Sequence, residues 1–452
     1  MKRAIQHWLR ATEPWYFAVG LANLVLGTSS VLVPLLISRV LSGSVSDIGI
    51  LSGMVSLAGV VGSLIWGRLS DRAHRRKPFI VLSYLTVGLM LGAMSISSTL
   101  RQLLSYNMLL NLFWVANASV TVLIVIENRD SSDWELRIGH LNQIGAMGWV
   151  AGLALGSLAM AVGPAWVGEA KAIRGLFILI AGISLTASVL ALRWVPRTMP
   201  RFTQRRFRGF VLAVGNFLVE RARFAPFHLY HRLRPRRILR TIRDSAGFRP
   251  GIKRFLGVTF LAFLGLGLFG IPLTPLLSER FGLPSSAVFF YFTLQHLAIV
   301  AAYPLVSRRI KRRGNRWVQF GAIVARMILF GGCSAYLAWQ SAVPPTWALV
   351  AVFLIYGISW SFFQLSGVAL TSRLAKPENR GMALGLYNAL AGMAWIAAGL
   401  LGGPLAERWG YETSSIAATA SLAAALILLV FVPDPPVIQE TAPHGSEGTG
   451  SS

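Results

Sequence analysis

The chain has 452 residues, of which 54% are hydrophobic and only 13% charged, and its mean hydropathy is +0.59. Soluble domains carry about 25% charged residues, so a soluble protein is excluded, and with Cys333 as the single cysteine a disulfide-stapled ectodomain is excluded too. The formal net charge of +26 would suit a nucleic-acid partner if the charges were not placed as they are.

A bilayer span needs about 20 mostly apolar residues. Runs of that kind predict six helices at 15–38, 46–66, 78–98, 104–126, 139–162 and 172–192, and six more at 255–278, 285–307, 317–339, 346–371, 381–405 and 411–432. Lys2, Arg3 and Arg10 precede the first run, as in a signal peptide. That run is too long for a signal core of about 7–15 residues and has no small-x-small cleavage site, so it reads as an uncleaved first helix. With twelve spans, 36 of the 43 basic residues fall on one side of the membrane, in the N-terminus and alternate loops. The other side has Arg39, Arg101, Lys171, Arg174, Arg280 and Arg408, and Arg326 lies inside a span. Short loops rich in Lys and Arg stay in the cytoplasm, which predicts a multi-pass protein of the cell membrane with both termini inside. The basic balance is therefore topogenic and attracts anionic inner-leaflet lipid. No nucleic-acid partner is needed to explain it.

The chain repeats itself. Gly139, Asn142, Met147 and Trp149 recur 246 residues later as Gly385, Asn388, Met393 and Trp395, and the two copies fall in helices 5 and 11. An Asn and a Trp held in register are hard to match by chance. Two related six-helix halves are a transporter architecture with a substrate site between the repeats. The expected organisation is a first bundle over 1–194, a basic linker over 195–252, a second bundle over 253–432 and a disordered Pro, Gly and Ser-rich tail over 433–452. Within the linker the apolar stretch Gly209–Val219, flanked by arginines, fits either an amphipathic helix at the inner membrane surface or a disordered connector.

After helix 2 comes Gly67-Arg68-Leu69-Ser70-Asp71-Arg72-Ala73-His74-Arg75-Arg76. This resembles the signature loop of the major facilitator superfamily, with matches at Gly67, Leu69, Asp71, Arg72, Arg75 and Arg76 and with His74 in place of a glycine. The resemblance implies an all-α fold of two pseudo-symmetric six-helix bundles, alternating access, and a latch in which Asp71 meets the start of helix 11 near Gly381. Without the family, the same loop reads as a topogenic basic segment. Its counterpart, Pro304–Gly314, has Arg308 where the acid would be, so the latch is asymmetric. The intramembrane arginine of helix 4 common in proton-driven members is missing, and no antiporter Gly-Pro pair falls within 139–162, the bounds of helix 5; Gly163-Pro164 comes directly after them.

The resemblance also implies a cavity lined by helices 1, 4, 7 and 10. Polar or aromatic stripes fall there at helical spacing: Asn23, Gly27 and Ser30 on helix 1, Asn107, Asn111 and Trp114 on helix 4, and Tyr356, Trp360 and Gln364 on helix 10. In a span such groups face protein or a water-filled cavity, so each is either a solute contact or an interhelical hydrogen bond. Gly265, Gly267, Gly270, Pro272 and Pro275 predict a bend or gate in helix 7. His296 is the one histidine near mid-bilayer and a candidate for proton coupling, or a packed histidine. Arg326, deep in helix 9, is a candidate buried charge, although snorkelling or pairing with a carbonyl explains it equally well.

The chain has no Gly-Lys pair and so no P-loop, and no His-Glu-x-x-His or Cys cluster. No enzyme, metal or cofactor is expected. Amides and aromatics without a carboxylate suit neutral or anionic solutes, because a desolvated cation would find no counter-charge. The expected protein is a monomeric transporter of small molecules, exporting apolar or neutral compounds, with protons as a candidate coupling ion. Two alternatives stay open: uptake of a neutral or anionic metabolite, and a lipid-handling or non-transporting relative.

Overall fold

The computed structural model describes residues 12–72, 76–128, 134–196, 251–339, 342–376 and 379–433. The expected interfacial helix at Gly209–Val219, nearly all of the linker, Arg75 and the tail from 434 lie outside them.

Among the described residues the chain is helical throughout. Six helices form the first bundle: α1 (Trp15–Arg39), α2 (Val45–Arg72), α3 (Lys77–Ser95), α4 (Leu100–Asn128), α5 (Trp134–Val167) and α6 (Glu169–Trp194). The second bundle has α7 (Ile252–Gly270), α8 (Ser285–Arg313), α9 (Asn315–Trp339), α10 (Thr346–Leu374) and α11 (Arg380–Val430). At 51 residues α11 is twice the length a bilayer needs, and it breaks at Gly410, where φ is +88°. Beyond that turn the chain comes back on itself, and Ser414 Oγ lies 3.5 Å from the Gly402 carbonyl. The two arms of α11 are therefore two spans, which gives twelve in all. Among the described residues ten helices are long and apolar enough to cross a membrane by length and composition alone, with α11 counted once and α4 not among them.

The bend expected in helix 7 falls after Gly270, where the chain continues through a short turn (Leu273–Pro275) into a π-helical turn (Leu276–Arg280). Two expected loops are helical. Gly67, Asp71 and Arg72 continue α2, and Arg308 to Arg313 continue α8 as far as Gly314, where φ is +79°. Arginine and lysine are good helix formers, and at a C-terminal turn they also complement the helix dipole. The helix therefore runs on past the apolar stretch, where the loss of hydropathy alone suggested a loop.

The halves pack alike. α1 lies on α5 as α7 lies on α11, α3 on α6 as α9 lies on the second arm of α11, and α2 on α4 as α8 lies on α10. Inside the first half, Tyr84 donates to Asn117 Oδ1 at 2.9 Å and Thr121 donates to the same oxygen at 2.7 Å. Tyr84 is wholly buried, so Asn117→Ala strands its hydroxyl, at a cost of about 1–3 kcal/mol. Thermal unfolding of the purified variant should show that loss, and the apolar pair Tyr84→Phe with Asn117→Leu should recover part of it. An Asn117→Ala protein as stable as the unmodified one contradicts this account.

Candidate functional site

The halves meet at the membrane face opposite the linker. There the first turns of α2 cross the first arm of α11 with backbones in contact: a Cβ added to Gly49 would lie 2.4 Å from Gly399 O, and one added to Gly403 would lie 2.7 Å from Val45 O. The end of α5 meets the start of α8, and a Cβ on Gly156 would lie 2.3 Å from the Phe289 ring. Polar bonds cross the same face. Arg39 donates to the carbonyls of Ser278 (2.5 Å) and Leu283 (3.1 Å), the Ser46 amide donates to Glu407 (3.0 Å), and Ser285 donates to Glu169 (2.6 Å). The aligned Gly49/Gly53 and Gly399/Gly403 pairs are small-x3-small motifs that let helices touch. They are legible in the sequence, but nothing in it says which helix each one meets.

Deeper in, an aromatic contact joins the halves: His296 of α8 stacks on Trp149 of α5, with ring centroids 5.9 Å apart and planes 23° from parallel. His296 Nδ1 lies 2.9 Å from the Phe292 carbonyl, and the Trp149 indole N–H is buried with no hydrogen-bond partner. The repeat-related residues are thus placed differently in the two halves. Trp149 reaches across to the other half, whereas Trp395 lies within its own, against Gly267 and Gly270 of α7. Asn142 Nδ2 is buried without a partner, and Asn388 is half-buried.

The three stripes fall on described helices with different surroundings. On α1, Asn23 is buried and donates to Val19 O at 2.7 Å, while Ser30 is exposed and donates to Gly27 O at 2.8 Å. On α4, Asn111 donates to the Asn107 carbonyl at 2.8 Å, and Trp114 stacks on Tyr84 with centroids 6.3 Å apart. On α10, Gln364 is buried, Trp360 is half-buried, and Tyr356 comes close to Gly270, where a Cβ would lie 3.1 Å from the tyrosine hydroxyl. Of the signature residues, Arg76 is buried at the start of α3, and the side chains of Gly67, Asp71 and Arg72 lie outside the described set.

Arg326 is fully buried, at 0% exposure, so it does not snorkel. Its Nη2 donates to the Tyr356 carbonyl at 3.1 Å. Its guanidinium carbon sits 4.8 Å from the Tyr356 ring centroid and 5.4 Å from that of Trp360. Behind it, Phe330 of α9 and Phe269 of α7 stack with centroids 3.9 Å apart. This aromatic enclosure was not legible in the sequence. Among the described residues no group of three or more His, Cys, Asp or Glu is placed to hold a metal.

The sequence profile of the Major Facilitator Superfamily matches residues 15–245 and 255–450. No curated protein matches the chain in sequence. Among solved structures, a POT family transporter in complex with 5-aminolevulinic acid superposes with a TM-score of 0.70 at 13% identity, over 93% of this chain and 95% of that one. The nucleoside transporter NupG gives 0.66 at 15%, over 92% and 96%. The human organic anion transporter MFSD10 (TETRAN) gives 0.57 at 16%, over 92% and 99%. At these identities the likeness is one of fold.

Proposed function

The chain belongs to the major facilitator superfamily, and from that membership we propose that it carries small molecules across a membrane by alternating access between its two halves. The observation that carries the reading is the contact of α2 with α11 and of α5 with α8 at the face opposite the linker. Glycine-lined helix crossings and a few polar bonds form a seal that a rigid-body tilt can break without unfolding either half. In this reading the present state is closed opposite the linker, and the linker face is the cytoplasmic one.

The solute is a neutral or anionic compound with a flat apolar body. Trp149 and Trp360, both half-buried, offer aromatic faces and the half-buried Asn111 of α4 offers an amide, while Asn23, Asn107, Tyr356 and Gln364 are buried in this state. No carboxylate accompanies them on these stripes, so a desolvated cation lacks a counter-charge.

The test joins flux to the seal. In a Cys333→Ser background, Ser46→Cys and Glu407→Cys put one thiol on each side of the crossing. The purified protein in liposomes should move a radiolabelled solute, stop when a short reducible cross-linker joins the thiols, and resume on reduction. Undiminished flux with the thiols joined removes the alternating-access reading. Absence of flux for neutral and anionic solutes alike removes the transporter.

A further inference from the structure

Arg326 is the twelfth of the 25 residues of α9, near the middle of the span, and is wholly buried. A guanidinium carries five N–H donors and is always charged. Here one nitrogen, Nη2, meets a carbonyl, and Nε and Nη1 are buried with no hydrogen-bond partner. No ion pair to Arg326 occurs among the described residues. Two ring faces and one carbonyl do not offset the desolvation of a lone buried charge. A purely structural role would be served better by an apolar side chain of the same volume, because replacing buried charges in this way is often neutral or stabilising.

The surroundings say where the missing partner comes from. The guanidinium lies against Tyr356 and Trp360, two residues of the α10 face that carries the cavity stripe, and Trp360 is only half-buried. At Tyr356 the neighbouring α7 presents Gly270. A side chain there would crowd the tyrosine hydroxyl, which an added Cβ would approach to 3.1 Å.

We infer that Arg326 is the counter-charge for a carboxylate on the transported solute, which reaches Nε and Nη1 when Trp360 and Tyr356 turn aside and which lays its apolar body against those rings. The inference rests on the transport reading and narrows its solute class from neutral or anionic to anionic. Charge-assisted bonds from a guanidinium to a carboxylate are the strong kind, and in a site closed to water they discriminate sharply against an uncharged isostere.

The probes are phenylacetate and its uncharged isostere phenylacetamide, with binding read by thermal shift and by titration calorimetry on purified protein. The unmodified protein should bind the carboxylate about tenfold to hundredfold more tightly than the amide, and R326Q should lose that preference while still binding the amide. R326K keeps the charge on a shorter reach and should weaken carboxylate binding with the amide unchanged. This variant carries the test if R326Q does not fold. Equal affinity for the two probes, no carboxylate binding at millimolar concentration, a preference that survives in R326Q, or unchanged carboxylate affinity in R326K each overturns the site. Liposome flux separates this from the transport reading. Flux of the amide without carboxylate binding leaves a transporter and removes the anion site. An Arg326-dependent carboxylate preference with no flux of either probe leaves the site and removes the transporter.

Discussion

Gly399→Leu should hold the halves apart at the face opposite the linker and stop transport without unfolding the protein. A Cβ at this position would lie 2.6 Å from Gly49 O and 2.8 Å from Gly53 N, both backbone atoms that no rotamer change can move aside. The penalty falls only on the state in which α2 and α11 touch. Overpacking of this kind costs about 1–3 kcal/mol, which shifts a two-state population by roughly 5- to 150-fold. The measurement is the rate at which Ser46→Cys, in the Cys333→Ser background, reacts with an impermeant maleimide. That rate should rise by a factor in this range while the unfolding temperature stays nearly fixed. Gly392→Ala, on the same arm but with nothing within 4 Å of the added carbon, should leave both unchanged. Equal labelling rates in Gly399→Leu and the unmodified protein would mean that the crossing is not a gate.

Gly152→Leu should act differently, by preventing the first half from assembling at all. The added Cβ would lie 2.0 Å from Leu24 O, on the α1–α5 contact. Thr28 donates to the Gly152 carbonyl at 2.7 Å across the same contact. Because both helices belong to one half, the clash persists in every state of the cycle. The cost should exceed the ~3 kcal/mol typical of overpacking, since the obstacle is helix backbone. Size-exclusion chromatography and thermal unfolding should show loss of folded, monodisperse protein, and flux should fall only in proportion to that loss. Gly175→Ala, which meets open space, is the control. A folded, monodisperse Gly152→Leu protein with normal stability would contradict the packing argument.

What the sequence made legible and what it did not follow from the same physics. Twelve spans could be read because an apolar run of bilayer length is rarely stable anywhere but in a bilayer. The repeat around Trp149 and Trp395 could be read because amides and tryptophans are sparse in such runs. Helix ends were harder. The basic runs after helices 2 and 8 lower hydropathy without breaking a helix, so α2 and α8 outrun the apolar stretches that located them. The polar stripes came out on the expected helices, but a stripe names a face and not its neighbours. Thus Trp114 proved to stack on Tyr84, inside its own half. Arg326 was visible as an anomaly in one dimension, and its enclosure by residues of α7, α9 and α10 needed the third. The glycines of the α2–α11 crossing were in plain sight, 350 residues apart from Gly49 to Gly399. A contact between two such sites follows only once both bundles have been built.

A fixed positive charge at mid-span also has an electrical consequence. A full membrane potential does about 2.3 kcal/mol of work per elementary charge per 100 mV, and a group part-way through the field feels a share of it. If the second half tilts as proposed, Arg326 moves through that field and the voltage biases the unliganded carrier towards one orientation. An anion seated on Arg326, as inferred above, would cancel the moving charge, and the loaded carrier would then reorient without electrical work. The membrane potential would drive one limb of the cycle and leave the other alone.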